Sequence, residues 1–263
     1  MRVPRVRLDE LLVRRGHAPS REKARALVLA GRVAVPGSPT AKPGQLVPDD
    51  VLLDVAGGEP YVSRGGIKLA HALDTFRVEP DGRVCADIGA STGGFTDCLL
   101  QRGARRVYAI DVGYGQLDWK LRTDPRVACM ERTNARFLES LPERPELVTI
   151  DASFISLRLL LPPAVRVATS TADLVALIKP QFEAGRERVG KGGVVRDPSV
   201  HCQVLTGFVE WAVEAGLALQ GLTASPIRGP AGNVEFFAHL TAVGPGADAG
   251  KSIEAALLEA AAR

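Results

Sequence analysis

The sequence predicts an α/β protein, in which a doubly wound Rossmann-like sheet is preceded by a small α+β module. Between residues 63 and 243, short apolar segments typical of strands alternate with segments typical of helices. This alternation indicates a parallel sheet with helices on both faces. Residues 1–56 have shorter elements and a basic excess. Hydrophobic residues make up 46% of the chain and charged residues 24%, a composition that excludes collagen-like and low-complexity proteins.

The first module, residues 1–56, is predicted from two apolar stripes and two strand-like segments. Leucines at helical spacing over residues 8–12 predict a first helix. Ser20 is a good N-cap for a second helix, because its hydroxyl can accept a hydrogen bond from a free backbone amide. Arg32–Val35 and Val51–Val55 are typical of short strands.

Charge is distributed unevenly along the chain. Residues 1–42 contain ten Lys or Arg and three acidic residues, whereas the whole chain has a net charge of only +3. A basic head on a mildly acidic body is typical of a polyanion-binding module, and a solvated helix face is the alternative. The candidate phosphate contacts are Arg7, Arg14, Arg15, Arg21, Lys23 and Arg25.

The sequence contains no apolar stretch as long as a membrane span, and no apolar segment follows the first residues as in a secretory signal. We therefore expect no membrane partner and a cytoplasmic location. Scattered cysteines without metal-ligand spacing favour buried free thiols and no metal site. These cysteines are Cys85, Cys98, Cys129 and Cys202.

Gly and Pro residues in Ala56-Gly-Gly-Glu-Pro60 mark a domain boundary, so residues 57–62 are the predicted linker and residues 63–243 the larger domain. Residues 244–263 are predicted to form a second linker, Gly244–Gly250, and a terminal helix, Ser252–Ala262. The predicted strands of the larger domain are Val84–Asp87, Val107–Asp111, Leu147–Asp151, Leu174–Lys179, Leu217–Thr223 and Val234–Thr241.

A glycine-rich loop follows the first of these strands, in Asp87-Ile-Gly-Ala-Ser-Thr-Gly-Gly-Phe95. Sheets of this class bind nucleotide-like cofactors at such a loop, because glycine lets a ligand approach the backbone closely. The spacing differs from the dinucleotide fingerprint, and a carboxylate repels phosphate groups. The loop therefore favours S-adenosylmethionine over NAD, with a structural glycine turn as the alternative. Asp111 ends the next strand, where an acid accepts hydrogen bonds from ribose hydroxyls.

Four charged residues form the candidate catalytic set. Asp151 and Lys179 end neighbouring predicted strands, on the edge where such sheets bind their ligands. An amine in apolar surroundings gives up its proton more readily, so Lys179 is a candidate base. Lys68 lies on a helix before the first strand, and Glu235 starts a late strand. Each alone is more typical of a surface charge or ion pair, but together they favour a site.

The order of residues in the first module resembles the S4 RNA-binding module, over residues 5–55. The matching segments are Arg7-Leu-Asp-Glu-Leu-Leu, Ser20-Arg-Glu-Lys-Ala-Arg and Ala30-Gly-Arg-Val-Ala-Val. A small basic helical surface suits folded RNA, which proteins recognise largely through its shape and backbone. The resemblance implies that the candidate phosphate contacts bind RNA.

The larger domain, with the first module, resembles the TlyA family of bacterial ribosomal RNA 2′-O-methyltransferases, some of which carry haemolysin names. The motifs that carry the resemblance are Tyr61-Val-Ser-Arg-Gly-Gly-Ile-Lys68, Asp87-Ile-Gly-Ala-Ser-Thr-Gly-Gly-Phe-Thr, Asp111-Val-Gly-Tyr-Gly-Gln-Leu, Glu131-Arg-Thr-Asn-Ala-Arg, Asp151-Ala-Ser-Phe-Ile-Ser-Leu, Lys179-Pro-Gln-Phe-Glu and Ser225-Pro-Ile-Arg-Gly-Pro-Ala-Gly-Asn-Val-Glu235. The second half is similar to FtsJ-like methyltransferases, whose Lys-Asp-Lys-Glu set falls on Lys68, Asp151, Lys179 and Glu235.

This resemblance implies methyl transfer from S-adenosylmethionine to cytidine 2′-hydroxyls, with ribosomal RNA or ribosomal subunits as partners. Lys179 would act as base or as the nearest cation, Asp151 and Glu235 would hold the lysines, and Lys68 would orient the hydroxyl. The implied cofactor contacts are Asp87, Gly89, Ser91, Gly93, Gly94, Phe95, Asp111 and Asn134. Two alternatives are a membrane-active cytolysin and a non-catalytic RNA-binding protein of ribosome assembly.

Overall fold

The computed structural model describes residues 4–38, 40–55 and 60–262. The chain divides into two compact units, Met1–Pro60 and Tyr61–Arg263. Half of the predicted linker, Gly57, Gly58 and Glu59, lies outside the described residues.

The smaller unit packs two helices beside two short antiparallel ladders. Leucines from the first helix form its core with Ala24 and Val28 from the second. Ser20 caps the second helix as predicted, because its hydroxyl accepts a hydrogen bond from the amide of Lys23. The elements are helices α1 (Leu8–Arg14) and α2 (Arg21–Leu29), strand β1 (Arg5–Arg7) paired with β3 (Leu46–Pro48), and β2 (Val33–Ala34) paired with β4 (Asp54–Val55).

The larger unit is built on one seven-stranded sheet with the order β10-β11-β9-β8-β5-β6-β7. Neighbours among β5, β6, β7, β8 and β9 run parallel. The strands are β5 (Val84–Ile88), β6 (Arg106–Ile110), β7 (Val127–Met130), β8 (Leu147–Ile150), β9 (Asp173–Ile178), β10 (Ala218–Ala224) and β11 (Phe236–Thr241).

Helices cover both faces of this sheet, as the predicted doubly wound class requires. Alternate strand residues point to opposite faces: Ala86 and Ile88 join one apolar cluster, and Cys85 joins the other. The first cluster packs against α6 (Leu161–Val167), α8 (Pro198–Glu214) and α9 (Ala249–Ala261), and the second packs against α3 (Gly65–Phe76) and α4 (Gly94–Gln101). Two further helices, α5 (Trp119–Arg122) and α7 (Pro180–Glu183), are short.

Three local features differ from the prediction. Strand β11 runs antiparallel to both neighbours, because a loop without a helix connects it to β10 and lets the chain turn straight back. Strand β7 was not predicted, and it lies at the sheet edge with one exposed and three half-buried residues. Helix α9 begins at Ala249, where the Asp248 carboxylate accepts a hydrogen bond from the Lys251 amide.

The expectation of buried thiols holds for two of the four cysteines. Cys85 and Cys98 are buried, whereas Cys129 is exposed and Cys202 is half-buried. Cys129 lies on the edge strand β7, which the prediction had missed. In the part of the chain that the structure describes, no helix combines the length and apolar character needed to cross a bilayer.

Candidate active site

A buried ion pair joins Lys68 to Glu235. Lys68 lies on α3, and Glu235 immediately precedes β11. The lysine Nζ is 2.5 Å from Oε2 of the glutamate, and the two side chains are only 8% and 2% exposed. Ionised groups persist at such burial when they are paired, because an isolated buried charge is very costly.

A second ion pair joins Lys179 to Asp151. These residues follow β9 and β8, which are parallel neighbours, so their side chains meet at the carboxyl edge of the sheet. The Lys179 Nζ lies 2.6 Å from Oδ1 of Asp151 and donates a hydrogen bond to the Ser153 hydroxyl at 2.9 Å. Ser153 was not predicted, because a serine in a loop carries no distinguishing pattern.

Strand register brings the two pairs to the same edge of the sheet. Phe236 of β11 pairs with Ile178 of β9 in antiparallel register. Glu235, one residue before Phe236, is therefore placed next to Lys179, one residue after Ile178. The four predicted catalytic residues thus lie at the ends of adjacent strands, together with the start of helix α3.

Gly89 brings the glycine-rich loop directly against Asp151. Its φ is +86°, and a Cβ at this position would lie 2.4 Å from the carbonyl oxygen of Asp151. Only glycine fits such a close approach in the left-handed region. The Asp151 amide also donates a hydrogen bond to the carbonyl of Ile88, at 2.9 Å. The loop and the second ion pair therefore form one continuous site.

A cavity of about 340 Å³ opens beside this contact. Five predicted residues line it: Gly89, Ser91, Asp111 and Asn134 of the cofactor set, and Asp151 of the catalytic set. Other lining residues, which the sequence did not single out, are Ile88, Ile110, Val112, Gln116, Thr133, Ala135, Ala152, Ser153, Phe154, Ile155 and Leu160. Their mixture of apolar and hydrogen-bonding groups is typical of a small-molecule site.

Asp111 is held firmly at the wall of this cavity. One carboxylate oxygen accepts a hydrogen bond from the Ser91 amide at 2.7 Å, and the other accepts one from the Gly113 amide at 2.6 Å. A carboxylate has about four acceptor positions, so Asp111 retains capacity for the hydroxyls of a ligand. Asn134 also lines the cavity, and its side chain caps a 3-10 helical turn by accepting from the Arg136 amide at 3.1 Å.

Asp87, which is predicted to contact the cofactor, is not among the described residues that line the cavity. Its side chain is fully buried and accepts a hydrogen bond from the Thr96 hydroxyl at 2.7 Å. Burial raises the pKa of Asp87 to about 7, and the nearby charge of Asp151 adds to this effect. Asp87 therefore anchors the glycine-rich loop to helix α4.

Three other predicted cofactor residues also lie outside the set that lines the cavity. Phe95 is 3% exposed and stacks on Phe237 at a ring distance of 6.0 Å. A Cβ on Gly93 would come within 2.2 Å of a methyl group of Leu121, and one on Gly94 within 2.3 Å of the Ser63 hydroxyl. These residues shape the turn into α4.

Phe154 is the most conspicuous residue that the sequence analysis did not select. Its side chain is 90% exposed, its φ is +64°, and its ring lies 5.1 Å from that of Phe182. It lines the cavity described above and also an adjoining cavity of about 580 Å³. The sequence did contain an indication of this role, an aromatic residue three positions after Asp151, because exposed aromatic rings often bind bases.

The candidate RNA contacts of the small unit divide into two groups. Four arginines are engaged within the unit: Arg7 and Arg21 with the buried Asp9, Arg14 with the Asp49 carboxylate, and Arg15 with backbone carbonyls. By contrast, Lys23 and Arg25 are exposed, and their side chains make no hydrogen bond or ion pair with any residue that the structure describes. These two side chains are the most available for phosphate groups.

Comparison with known proteins places both units in described families. Residues 61–242 match the family described as FtsJ-like methyltransferase, and residues 6–51 match the S4 domain. The 16S/23S rRNA (cytidine-2′-O)-methyltransferase TlyA of Mycobacterium tuberculosis is 50% identical over 240 residues, covering 90% of each chain. Hemolysin A of Brachyspira hyodysenteriae is 40% identical, covering 89% of this chain and 99% of its own.

A solved structure from Streptococcus thermophilus, described as a hemolysin, is similar along nearly the whole chain. It covers 99% of this chain and 97% of its own, with a TM-score of 0.75 and 43% sequence identity. The similarity therefore extends through both units and is not limited to the sheet.

Proposed function

The chain belongs to the FtsJ-like methyltransferase family, and from this premise we propose that it methylates cytidine 2′-hydroxyls of ribosomal RNA with S-adenosylmethionine. One observation carries the proposal: two lysine–carboxylate pairs lie at one edge of the sheet, and Asp151 of one pair lines the cavity beside the glycine-rich loop. We further propose that residues 1–56 bind RNA and that residues 63–243 carry the reaction.

The residues that line the cavity beside the glycine-rich loop fit S-adenosylmethionine, which supplies the methyl group when bound. Asp111 offers fixed acceptors for ribose hydroxyls. Gly89 lines the cavity and packs the loop against the Asp151 backbone, and Asn134 offers a polar group for the adenine edge. The lining favours S-adenosylmethionine over a dinucleotide, because the described residues that form it include no arginine or lysine to bind a diphosphate.

Lys179 is the group proposed to activate the hydroxyl. A ribose hydroxyl is a weak nucleophile, so removal of its proton or stabilisation of the developing alkoxide accelerates attack. Asp151 and Ser153 hold the Lys179 amine from two sides, so that it is already oriented before the substrate arrives. Such preorganisation is a large source of catalytic power.

The buried pair of Lys68 and Glu235 is proposed to position the ribose. Glu235 fixes the Lys68 ammonium, and that ammonium retains further donors for an oxygen of the substrate. The site would then contact the ribose from both sides, with Lys179 as base or cation and Lys68 as the orienting group.

Phe154 is proposed to support the target base. Its ring is exposed at the junction of the two cavities, close in sequence to Asp151. Proteins that bind RNA commonly stack unpaired bases on aromatic side chains, so this ring can hold the target cytosine.

Methylation of ribosomal RNA by the purified protein tests the proposal. Ribosomal subunits lacking the modification are incubated with the protein and labelled S-adenosylmethionine, and 2′-O-methylated nucleotides are mapped in both subunits. We expect label at cytidine, and transfer at least about 100-fold slower with Lys179→Ala. Absence of transfer to naked RNA and to assembled subunits alike would refute the proposal.

The same preparation separates the two alternatives. The name of the Brachyspira relative suggests a membrane-active protein, which would release dye from lipid vesicles without S-adenosylmethionine. A non-catalytic assembly protein would bind ribosomal RNA but show no saturable heat of binding with S-adenosylmethionine.

A further inference from the structure

A third cavity, of about 340 Å³, lies between the start of helix α3 and the loop that joins β10 to β11. Its wall includes Glu235, which is paired with Lys68, so it adjoins the proposed catalytic residues. The remaining lining residues are Arg64, Ser225, Pro226, Ile227, Arg228, Val234 and Ala260.

The loop side of this cavity is preorganised by hydrogen bonds. The buried side chain of Asn233 accepts from the Val195 amide and donates to the Gly193 carbonyl, both at 2.9 Å. The Ser225 amide donates to the Glu235 carbonyl at 2.8 Å. These contacts fix the loop around the glutamate before any ligand binds.

Two arginines line the cavity. The Arg64 guanidinium donates to the carbonyl of Arg228 at 2.6 Å, and the Arg228 guanidinium donates to the carbonyl of Gly232 at 3.4 Å. Both residues are exposed. Neither guanidinium pairs with a carboxylate among the described residues, and each has five N–H donors, so most donors of both remain available.

The charge of the cavity favours an anion. Glu235 is the single carboxylate among the described residues that line it, and the Lys68 ammonium neutralises that carboxylate. No carboxylate among the described residues forms an ion pair with either arginine, so both positive charges remain available to a ligand. Planar guanidinium groups match the oxygens of phosphate with two parallel hydrogen bonds.

We propose that this cavity binds a backbone phosphate of the RNA strand beside the nucleotide that is methylated. This inference rests on the proposed function, which supplies the RNA. Every internal ribose carries a phosphodiester next to its 2′-hydroxyl, so a phosphate held by Arg64 and Arg228 fixes the ribose relative to Lys68 and Lys179. The cavity would bind the phosphate whatever the RNA sequence around it, because phosphate contacts position the strand and carry no base information.

The test compares Arg64→Ala, Arg228→Ala and the double variant with the parent protein. RNA binding is titrated at several salt concentrations with a fragment that the parent methylates, or with total ribosomal RNA. We expect the double variant to bind about tenfold more weakly, because it loses hydrogen bonds to a charged group. The slope of log affinity against log salt should fall by about 0.7, the value for one contact to single-stranded RNA.

Matched variants separate charge from geometry and from folding. The control Arg166→Ala also removes an exposed arginine. The Arg166 carbonyl accepts a hydrogen bond from Arg144, which precedes the amino end of β8, at the edge of the sheet opposite the site. This variant should leave the RNA affinity and the salt slope unchanged. The double variant Arg64→Lys, Arg228→Lys should keep the salt slope and lose part of the affinity, because lysine lacks the planar fork. Calorimetry with S-adenosylmethionine confirms that each variant is folded.

An unchanged affinity and salt slope in the double alanine variant would overturn the phosphate site, whether or not the parent transfers methyl groups. The proposed function fails separately, when the parent binds ribosomal RNA but transfers no methyl group to it.

Discussion

Lys68 and Glu235 are 167 positions apart in the chain, yet their charged groups lie 2.5 Å apart inside the folded domain. The pair connects helix α3, which precedes the first strand of the sheet, to the start of its last strand. It therefore depends on the complete fold, and it contributes to stability and to the arrangement of the site at once.

The Lys68–Glu235 pair predicts a strong non-additive effect on stability. Glu235→Leu leaves the Lys68 ammonium buried without a partner, so we expect a loss of about 3–5 kcal/mol in the free energy of unfolding. The double variant Lys68→Met, Glu235→Leu should recover most of this loss, although it should not transfer methyl groups. Urea denaturation measures all four proteins of the cycle. Additive losses would show that the two groups do not interact.

Lys179 is predicted to be essential for the chemical step. Lys179→Ala should lower the rate of methyl transfer by at least about 100-fold, in the range of a lost general base. The affinity for S-adenosylmethionine should change little, because Gly89, Ser91 and Asp111 remain. Lys179→Arg keeps the positive charge but does not readily lose a proton. A base therefore predicts an equally inactive arginine variant, and a purely electrostatic role predicts partial activity.

Single-turnover rates of the alanine and arginine variants separate a base from a purely electrostatic role, and calorimetry measures their affinity for S-adenosylmethionine. A Lys179→Ala variant that turned over like the parent would remove this residue from the mechanism.

Glu183 is predicted to position the loop that carries Asp151, Ser153 and Phe154. Its carboxylate accepts from the Ser156 hydroxyl at 2.6 Å and the Leu157 amide at 2.8 Å. Glu183→Ala should lower kcat about tenfold and the free energy of unfolding by about 1–3 kcal/mol, because buried donors lose their acceptor.

The matched control for this loop is Glu187→Ala, since the Glu187 side chain is 75% exposed. Glu183→Gln, which keeps one acceptor oxygen, should restore part of the rate. Equal effects of the two alanine variants on kcat would contradict a positioning role.

Asp87 predicts a particular pH dependence of stability. Burial raises its pKa to about 7 in the folded protein, whereas an unfolded aspartate titrates near about 3.9. Between these values the folded state holds a proton that the unfolded state has released, so this residue lowers stability as pH rises from about 4 to about 7. Above about pH 7 its contribution is constant.

The variant Asp87→Asn should abolish the loss of stability that Asp87 causes between pH 4 and pH 7. The difference in unfolding free energy between Asp87→Asn and the parent should therefore grow in favour of the variant from pH 4 to pH 7 and then level off. Thermal unfolding at matched ionic strength measures this difference. A difference that is flat over the whole range would show that Asp87 is ionised in the folded protein.

The small unit predicts that its basic side chains are not equivalent. Lys23→Ala with Arg25→Ala should weaken RNA binding and reduce its salt dependence, because both side chains are exposed and without an ionic partner among the described residues. Arg14→Ala, which removes the partner of Asp49, should affect RNA binding less. Filter binding at three salt concentrations measures the RNA affinity of both variants. Equal losses of affinity would contradict the prediction that Lys23 and Arg25 contribute more than Arg14.

Local sequence patterns predicted most of the individual elements. The hydroxyl of Ser20 indicated a helix start because capping involves residues that are close in sequence. The edge strand β7 was missed because an edge strand buries too little surface to produce a continuous apolar run. The burial of Asp87 could not be predicted, because a carboxylate beside a glycine loop looks the same in sequence whether it faces the cavity or the core.

The sequence by itself determined the doubly wound class, the basic first module and the residue types of the site, because these depend on local periodicity and on a family resemblance. Only the tertiary structure decided that β11 inserts antiparallel between β9 and β10. That insertion places Glu235 beside Lys179 and opposite Lys68. Contacts between residues so distant in sequence follow from strand order, which is set by the packing of the whole sheet and not by any single segment.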